Sequence, residues 1–231
     1  MTIARAAIGG LVLAGGRGTR MGGADKGLLA WHGGTFAGNA VARLAPQVEC
    51  VAISVNRNLE RYAGMGVPLV SDEADPSAAD APFDGPLAGV LSALDRCAAL
   101  ETLPWLAVVP CDVPFVPDDL VRRLAAACDA SGAGAAHAAS LDPESGRLEQ
   151  QPLCALFGRG LRDALAAYLA SGRRSARGFL AEVSAAAVPF TQPGDDPWAF
   201  VNANTPSLSA AWKGRAGESP AAENPRRDPS R

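Results

Sequence analysis

Fifteen consecutive residues, Leu13 to Gly27, hold six glycines and three cations, Arg17, Arg20 and Lys26. They directly follow a short apolar, strand-like run, Ile8 to Leu13. Glycines at such a place let backbone approach a ligand closely and turn N–H groups towards it, a recurring way to hold phosphate. Neither of two common phosphate loops fits. The G-x-G-x-x-G fingerprint started at Gly16 meets Met21 where glycine is required, and the Gly-Lys-Ser/Thr of the P-loop is absent. What remains is a longer basic loop, suited to a triphosphate whose charge must be neutralised before a nucleophile approaches. The competing reading, a plain turn with solvated cations, explains the density of glycine and charge less well.

A second chemical group closes another apolar run: Trp105 to Val109 ends in Pro110-Cys111-Asp112-Val113-Pro114. A carboxylate at the C-terminal end of a strand sits where open α/β sheets bind ligands. Mg²⁺ takes one or two carboxylates together with substrate phosphate oxygens, so Asp112 is the candidate metal ligand; a loop hydrogen bond is the alternative. Asn56 and Asp72 follow two further strand-like runs, 48–55 and 67–70. Asn56 has an amide able to donate and accept, although an Asx turn explains it equally well locally. Asp72 lies among other acidic residues and is equally read as solvated. Gly85 precedes Pro86 at a helix start, where free N–H groups face anions. Asn202 and Asn204, two apart on an extended chain, point the same way.

These groups need elements to position them. Leu87, Val90, Leu91 and Leu94 show helical spacing, as do Leu120, Val121 and Leu124 behind Pro117-Asp118-Asp119, and Leu161, Leu165, Tyr168 and Leu169. Strands alternating with helices predict βαβ units, hence an α/β fold with a mainly parallel sheet covered on both faces. One domain over 1–213 is expected, followed by a disordered tail over 214–231 that contains no large apolar residue. The segment from Asp72 to Asp84, with five acidic residues and two prolines, is expected at the surface.

Composition narrows the classes. The chain has 231 residues, of which 48% are hydrophobic and 19% charged, and a formal net charge of −3. That balance suits a buried core and carries no basic footprint for nucleic acid. No apolar stretch is long enough to span a membrane. Five widely spaced cysteines without a Cys-x-x-Cys pair argue against a disulfide framework or a zinc site and for a reduced, cytoplasmic setting. His32 and His137 are isolated and make neither a metal cluster nor a triad. Trp31 and Met21 read as packing residues, and Cys111 as a small buried thiol.

The motif Leu13-Ala14-Gly15-Gly16-x-Gly18-x-Arg20-Met21-Gly22-Gly23-x-Asp25-Lys26-Gly27 resembles that of the molybdenum cofactor guanylyltransferases. So do Pro110-Cys111-Asp112-x-Pro114, Val55-Asn56, Gly85-Pro86-Leu87-Ala88-Gly89, Gln151-Pro152-Leu153 and Phe200-x-Asn202-x-Asn204-Thr205-Pro206. The resemblance runs from about Gly10 to Pro206. It implies a three-layer αβα Rossmann-like nucleotidyltransferase fold with a mixed, mainly parallel sheet. It implies transfer of GMP from GTP to molybdopterin or Mo-molybdopterin, with release of pyrophosphate and with Mg²⁺ on Asp112. Lys26, Arg20 and Asp112 are the implied catalytic residues. Leu13, Ala14, Gly15, Gly16, Gly18, Asn56, Asp72, Gly85, Asn202 and Asn204 are the implied binding residues, with Arg173-Arg174 and the Gln150-Gln151 strand beside the acceptor. Related cytidylyltransferases usually carry Leu-Ala-Ala-Gly; Gly15 is implied to leave room for a purine. A monomer is expected, in transient contact with molybdopterin-synthesis proteins and apo-molybdoenzymes. Two alternatives stand: a cytidylyl- or sugar-phosphate nucleotidyltransferase, and a non-catalytic GTP-binding protein that delivers cofactor.

Overall fold

The computed structural model describes residues 2–15, 25–71 and 85–203. Strand β1, Ile8–Leu13, is the centre of the site-bearing half and contains two adjacent glycines. A Cβ on Gly10 would come within 2.9 Å of Leu44 Cδ2 and 3.0 Å of Val48 Cγ2, so this strand needs glycine for the helix to approach. A small hairpin follows, β2 (Ala30–Trp31) and β3 (Gly34–Thr35). Its turn residues, His32 and Gly33, both have positive φ, as tight two-residue hairpins require. Helix α1, Phe36–Leu44, starts on Thr35, whose side chain accepts from Gly38 N–H at 3.1 Å.

Next come β4 (Cys50–Ser54), the short α2 (Leu59–Ala63) and β5 (Leu69–Val70). Helix α3, Pro86–Arg96, and β6, Trp105–Pro110, complete the first half. The second half contains α4 (Leu120–Ser131), β7 (Ala135–Leu141), β8 (Leu148–Gly158), α5 (Arg162–Ala170), α6 (Ala176–Glu182) and β9 (Ala186–Phe190). Seven strands form one sheet in the order β5-β4-β1-β6-β8-β7-β9. Of these, β8 alone runs against its neighbours β6 and β7, which makes the sheet mixed but mainly parallel.

Alternation along the buried strands divides the core in two. Ile8 and Val12 of β1 and Val109 of β6 pack with Leu44 of α1 and Leu124 of α4. Leu11 of β1 and Val108 of β6 pack on the opposite face with Leu87 of α3, Leu165 of α5 and Phe179 of α6. The expected three layers are present. The strands read at 48–55 and 67–70 are shorter than expected, 50–54 and 69–70. Pro68 precedes β5 and has no N–H for a ladder, although its carbonyl accepts from Ile53 N–H at 2.9 Å. Among the described residues no helix is long and apolar enough to cross a membrane.

Candidate active site

Because β1, β4, β5 and β6 are parallel, their C-terminal ends open onto one edge of the sheet. The chain proceeds from β1 to β4 and β5 on one side and returns to β6 on the other, which puts a topological switch point between β1 and β6. Ligands of open α/β sheets bind outside such a crevice. The hydrogen bonds that extend the ladders set the positions of the residues just beyond. Ala14 N–H donates to Ser54 O at 2.9 Å, and Cys111 N–H to Leu13 O at 3.0 Å.

Across that crevice Lys26 Nζ lies 3.4 Å from Asp112 Oδ2, with both side chains partly exposed. Residues 86 positions apart therefore meet at the end of the two central strands. Cys111, between them and the core, is buried; burial pushes its thiol up, the carboxylates of Asp112 and Asp25 push the same way, and Lys26 opposes them. It is a packing residue, as expected, and not a nucleophile.

On the β4 side, a Cβ built on Gly15 would lie 3.5 Å from Asn56 Nδ2, an ordinary contact. Asn56 Oδ1 accepts from Ser71 Oγ at 3.4 Å, which links the ends of β4 and β5. Leu13 and Ala14 lead into this corner at the end of β1. Gly85 caps α3 with φ 77° and ψ −178°, a conformation that belongs to glycine, and its Cα faces the backbone of Arg174. On the far side, Ala203 N–H donates to Asp112 O at 2.7 Å, which brings Asn202 beside the proposed metal ligand.

The structure thus gathers Leu13, Ala14, Gly15, Lys26, Asn56, Asp112 and Asn202 at one edge. Gly16, Gly18, Arg20, Asp72 and Asn204 lie outside the described residues, as do Arg17, Met21 and the 214–231 tail. The basic pair divides: Arg173 is bound by Glu182 and stacks over Tyr168, 4.1 Å from the ring centroid. Arg174 donates to Leu169 O at 2.6 Å and faces the start of α3. Gln151 Nε2 donates to Ser140 Oγ at 3.1 Å within the β7–β8 ladder. The two histidines are structural. His32 occupies the hairpin turn against Trp31, and His137 is buried with Nδ1 3.0 Å from Ala138 O. Trp31 is buried and stacks on Phe36 at 4.8 Å.

Sequence reasoning assigned no role to Asp25, Asn58 or Tyr62. Asp25 is buried beneath Lys26 and accepts from Tyr62 Oη at 2.6 Å and Asn58 Nδ2 at 2.9 Å. The signal for Asp25 was its place next to Lys26 in the glycine-rich motif, but its two donors are 33 and 37 positions away.

Among the described residues no group of three or more His, Cys, Asp or Glu side chains could hold a metal ion. A single partly exposed carboxylate at the mouth of a crevice fits the kind of divalent ion that completes its shell with phosphate oxygens and water. It does not fit a closed protein-only site.

Residues 10–212 match the MobA-like NTP transferase domain family. A molybdenum cofactor guanylyltransferase from Cupriavidus taiwanensis is 46% identical over 203 residues, covering 88% of this chain and 94% of its own. One of the same name from an Acidovorax species is 46% identical over 202 residues, with 86% and 91% covered. Among solved structures, molybdopterin-guanine dinucleotide biosynthesis protein A from Archaeoglobus fulgidus superposes with TM-score 0.63 at 19% identity, covering 89% of this chain and 97% of that one. A 2-C-methyl-D-erythritol 4-phosphate cytidylyltransferase from Thermus thermophilus superposes with TM-score 0.57 at 16% identity, covering 94% and 99%. At those identities the two structures speak for the fold alone. With the family domain over most of its length and such relatives by sequence, the chain belongs to the molybdenum cofactor guanylyltransferases, a family of nucleotidyltransferases.

Proposed function

We propose that this protein transfers GMP from GTP to molybdopterin, or to its molybdenum-loaded form, giving the guanine dinucleotide and pyrophosphate. The observation that carries the reading is the Lys26–Asp112 pair at 3.4 Å, set at the switch point beside the Gly15–Asn56 corner. The terminal phosphate of the pterin attacks the α-phosphorus of GTP; a new P–O bond forms there and the bond to pyrophosphate breaks. A phosphate monoester has its second pKa near about 6, so it is largely ionised at neutral pH and no general base is required. The absence of a histidine from the described part of the site is consistent with this.

The barrier to be lowered is repulsion between two anions. Lys26 places a positive charge against the phosphates, and the N–H groups at the end of β1 add fixed dipoles. Asp112 would hold Mg²⁺, which when bound supplies further neutralisation of phosphate charge. Asn56 contacts the nucleoside and Gly15 leaves space for a two-ring base. Gly85 offers the start of α3 to an anion, and Asn202 and Asn204 bind the phosphate-bearing second substrate or its pterin. Arg20, Gly16, Gly18 and Asp72 belong to the same site in this reading. The protein acts as a monomer in the cytoplasm and passes its product to apo-molybdoenzymes.

The deciding experiment supplies GTP, Mg²⁺ and molybdopterin and measures pyrophosphate. Release dependent on all three supports the proposal. GTP binding without release would mark a delivery protein, and turnover with CTP in place of GTP a cytidylyltransferase.

A further inference from the structure

The Lys26 ammonium meets Asp112 across the crevice, and the turn that carries it is held from beneath. Asp25, next in the chain, has a side chain only 6% exposed. Its two oxygens are engaged by three groups from a single stretch after β4. Tyr62 Oη donates to Oδ1 at 2.6 Å, Asn58 Nδ2 donates to Oδ2 at 2.9 Å, and Arg57 Nε lies 3.6 Å from Oδ2. Tyr62 is fully buried, and burial together with the hydrogen bond to Asp25 pushes its phenol up, so the hydroxyl remains a donor across the working pH range. Gly27 lies so close to the same hydroxyl that any side chain there would collide with it. Leu28 N–H donates to Asp25 O at 3.1 Å and Leu29 N–H to Lys26 O at 3.1 Å, which closes the turn on the anchored residue.

Residues 56–58 thus do two things at once. Asn56 faces the Gly15 corner, while Arg57 and Asn58 grip the base of the lysine turn. Asn58 itself has φ 55°, a left-handed conformation that aims its amide at Asp25 instead of outward. A carboxylate at the edge of a site meant for polyanions is a cost unless its charge is committed elsewhere. Here it is committed to α2 and the loop before it, and this leaves the Lys26 ammonium for the crevice.

The geometry points to Tyr62 and Asn58 as positioning residues that act through Asp25 to hold Lys26 against the reacting phosphates and couple the nucleoside loop to the phosphate-binding turn. Neither touches substrate. The inference rests on the nucleotidyl-transfer reading for its kinetic part, so its test includes one readout that needs no substrate.

Two variants each remove one donor. Tyr62→Phe keeps the buried ring, and Asn58→Gly suits the positive φ. Both are expected to lower kcat about tenfold with KM for the nucleotide changed less than about twofold, the pattern of an interaction realised mainly in the transition state. In a Lys26→Ala background neither should lower the rate further, because a residue that acts only through Lys26 has nothing left to act on. Independently, mass-spectrometric mapping of amine acylation in the substrate-free protein should show Lys26 modified several-fold faster in both variants, with Lys213, the chain's other lysine, unchanged. A Lys26 modification rate within about twofold of the parent in both variants overturns the inference. So does an equal loss of kcat with and without Lys26, the mark of a merely structural effect. Should the parent turn over CTP and not GTP, the substrate reading fails while the same comparison, run with CTP, still judges the relay.

Discussion

At the scale of single residues, the chemistry rests on charge placement. Lys26 and Asp112 are contributed by different segments and meet at 3.4 Å at the mouth of the site, where neither is required by the core. Lys26→Ala and Asp112→Ala should each leave the fold intact and lower turnover about 10²–10³-fold, the usual loss when one pre-placed electrostatic contact is removed. Steady-state pyrophosphate release with a circular-dichroism control checks this, and near-parental turnover in either variant removes that residue from the mechanism. Gly15 yields a different kind of prediction. A methyl group there would rest 3.5 Å from Asn56 Nδ2 without strain, so Gly15→Ala should fold normally yet narrow the space beside that amide. The expected outcome is weaker GTP binding with CTP binding kept or improved, measured by competition in a thermal-shift titration. Equal loss for both nucleotides would show that this corner does not receive the base.

At the scale of elements, β1 explains why the loop starts where it does. Buried on both faces, it is pressed by Leu44 and Val48 on the α1 side and by Leu100 on the α3 side, and its paired glycines admit all three. Gly10→Val should overpack that contact and destabilise by roughly 1–3 kcal/mol, read as a lower urea midpoint at unchanged slope. Helices α3, α4 and α5 are legible from their stripes because their large residues recur at helical spacing. Helix α1, by contrast, is mostly small residues between Phe36 and Leu44 and is not among the helices that spacing predicts. Strand β7 is not legible either: Ala135–Leu141 has six small or polar residues before its final leucine and only its partners β8 and β9 identify it. The direction of β8 is likewise a matter of pairing. Its Gln150-Gln151-Pro152 run reads as a strand, but only the register against β6 and β7 shows that it runs the other way.

For the molecule as a whole, the segment that follows β9 is tied back on α4 by one arginine. Arg123 of α4 reaches Asp195 at 2.7 Å, donates to Pro189 O at 2.6 Å and covers the Phe190 ring at 3.7 Å. The Arg123 hydrogen bonds hold the Asp195 carboxyl below the ordinary aspartate value, with help from Gln192 N–H and against the effect of burial. A depressed carboxyl pKa in the native state adds stability above the unfolded value of about 3.9, and that stability is lost as pH falls through the lower native value. Asp195→Asn should therefore reduce stability at neutral pH and flatten the acid limb of a stability–pH curve below about pH 4. Melting temperatures across pH 3–7 check it; an unchanged acid limb would mean that the pair is matched equally well in the unfolded chain.

Read alone, the amino-acid order determines the chemistry in outline. Glycines and cations crowded after one strand, a carboxylate after another and helical stripes between them state a parallel α/β sheet with a phosphate-binding edge, because these signals are local in the chain. Only the tertiary structure decided which groups meet. The approach of Lys26 to Asp112, the bond from Ala203 N–H to the Asp112 backbone carbonyl and the burial of Asp25 under Tyr62 and Asn58 all depend on strand order and on helices that cross tens of residues of sequence. A hydrogen bond leaves no periodic trace in either partner's segment, and for that physical reason the anchor beneath Lys26 emerges only once the chain is folded.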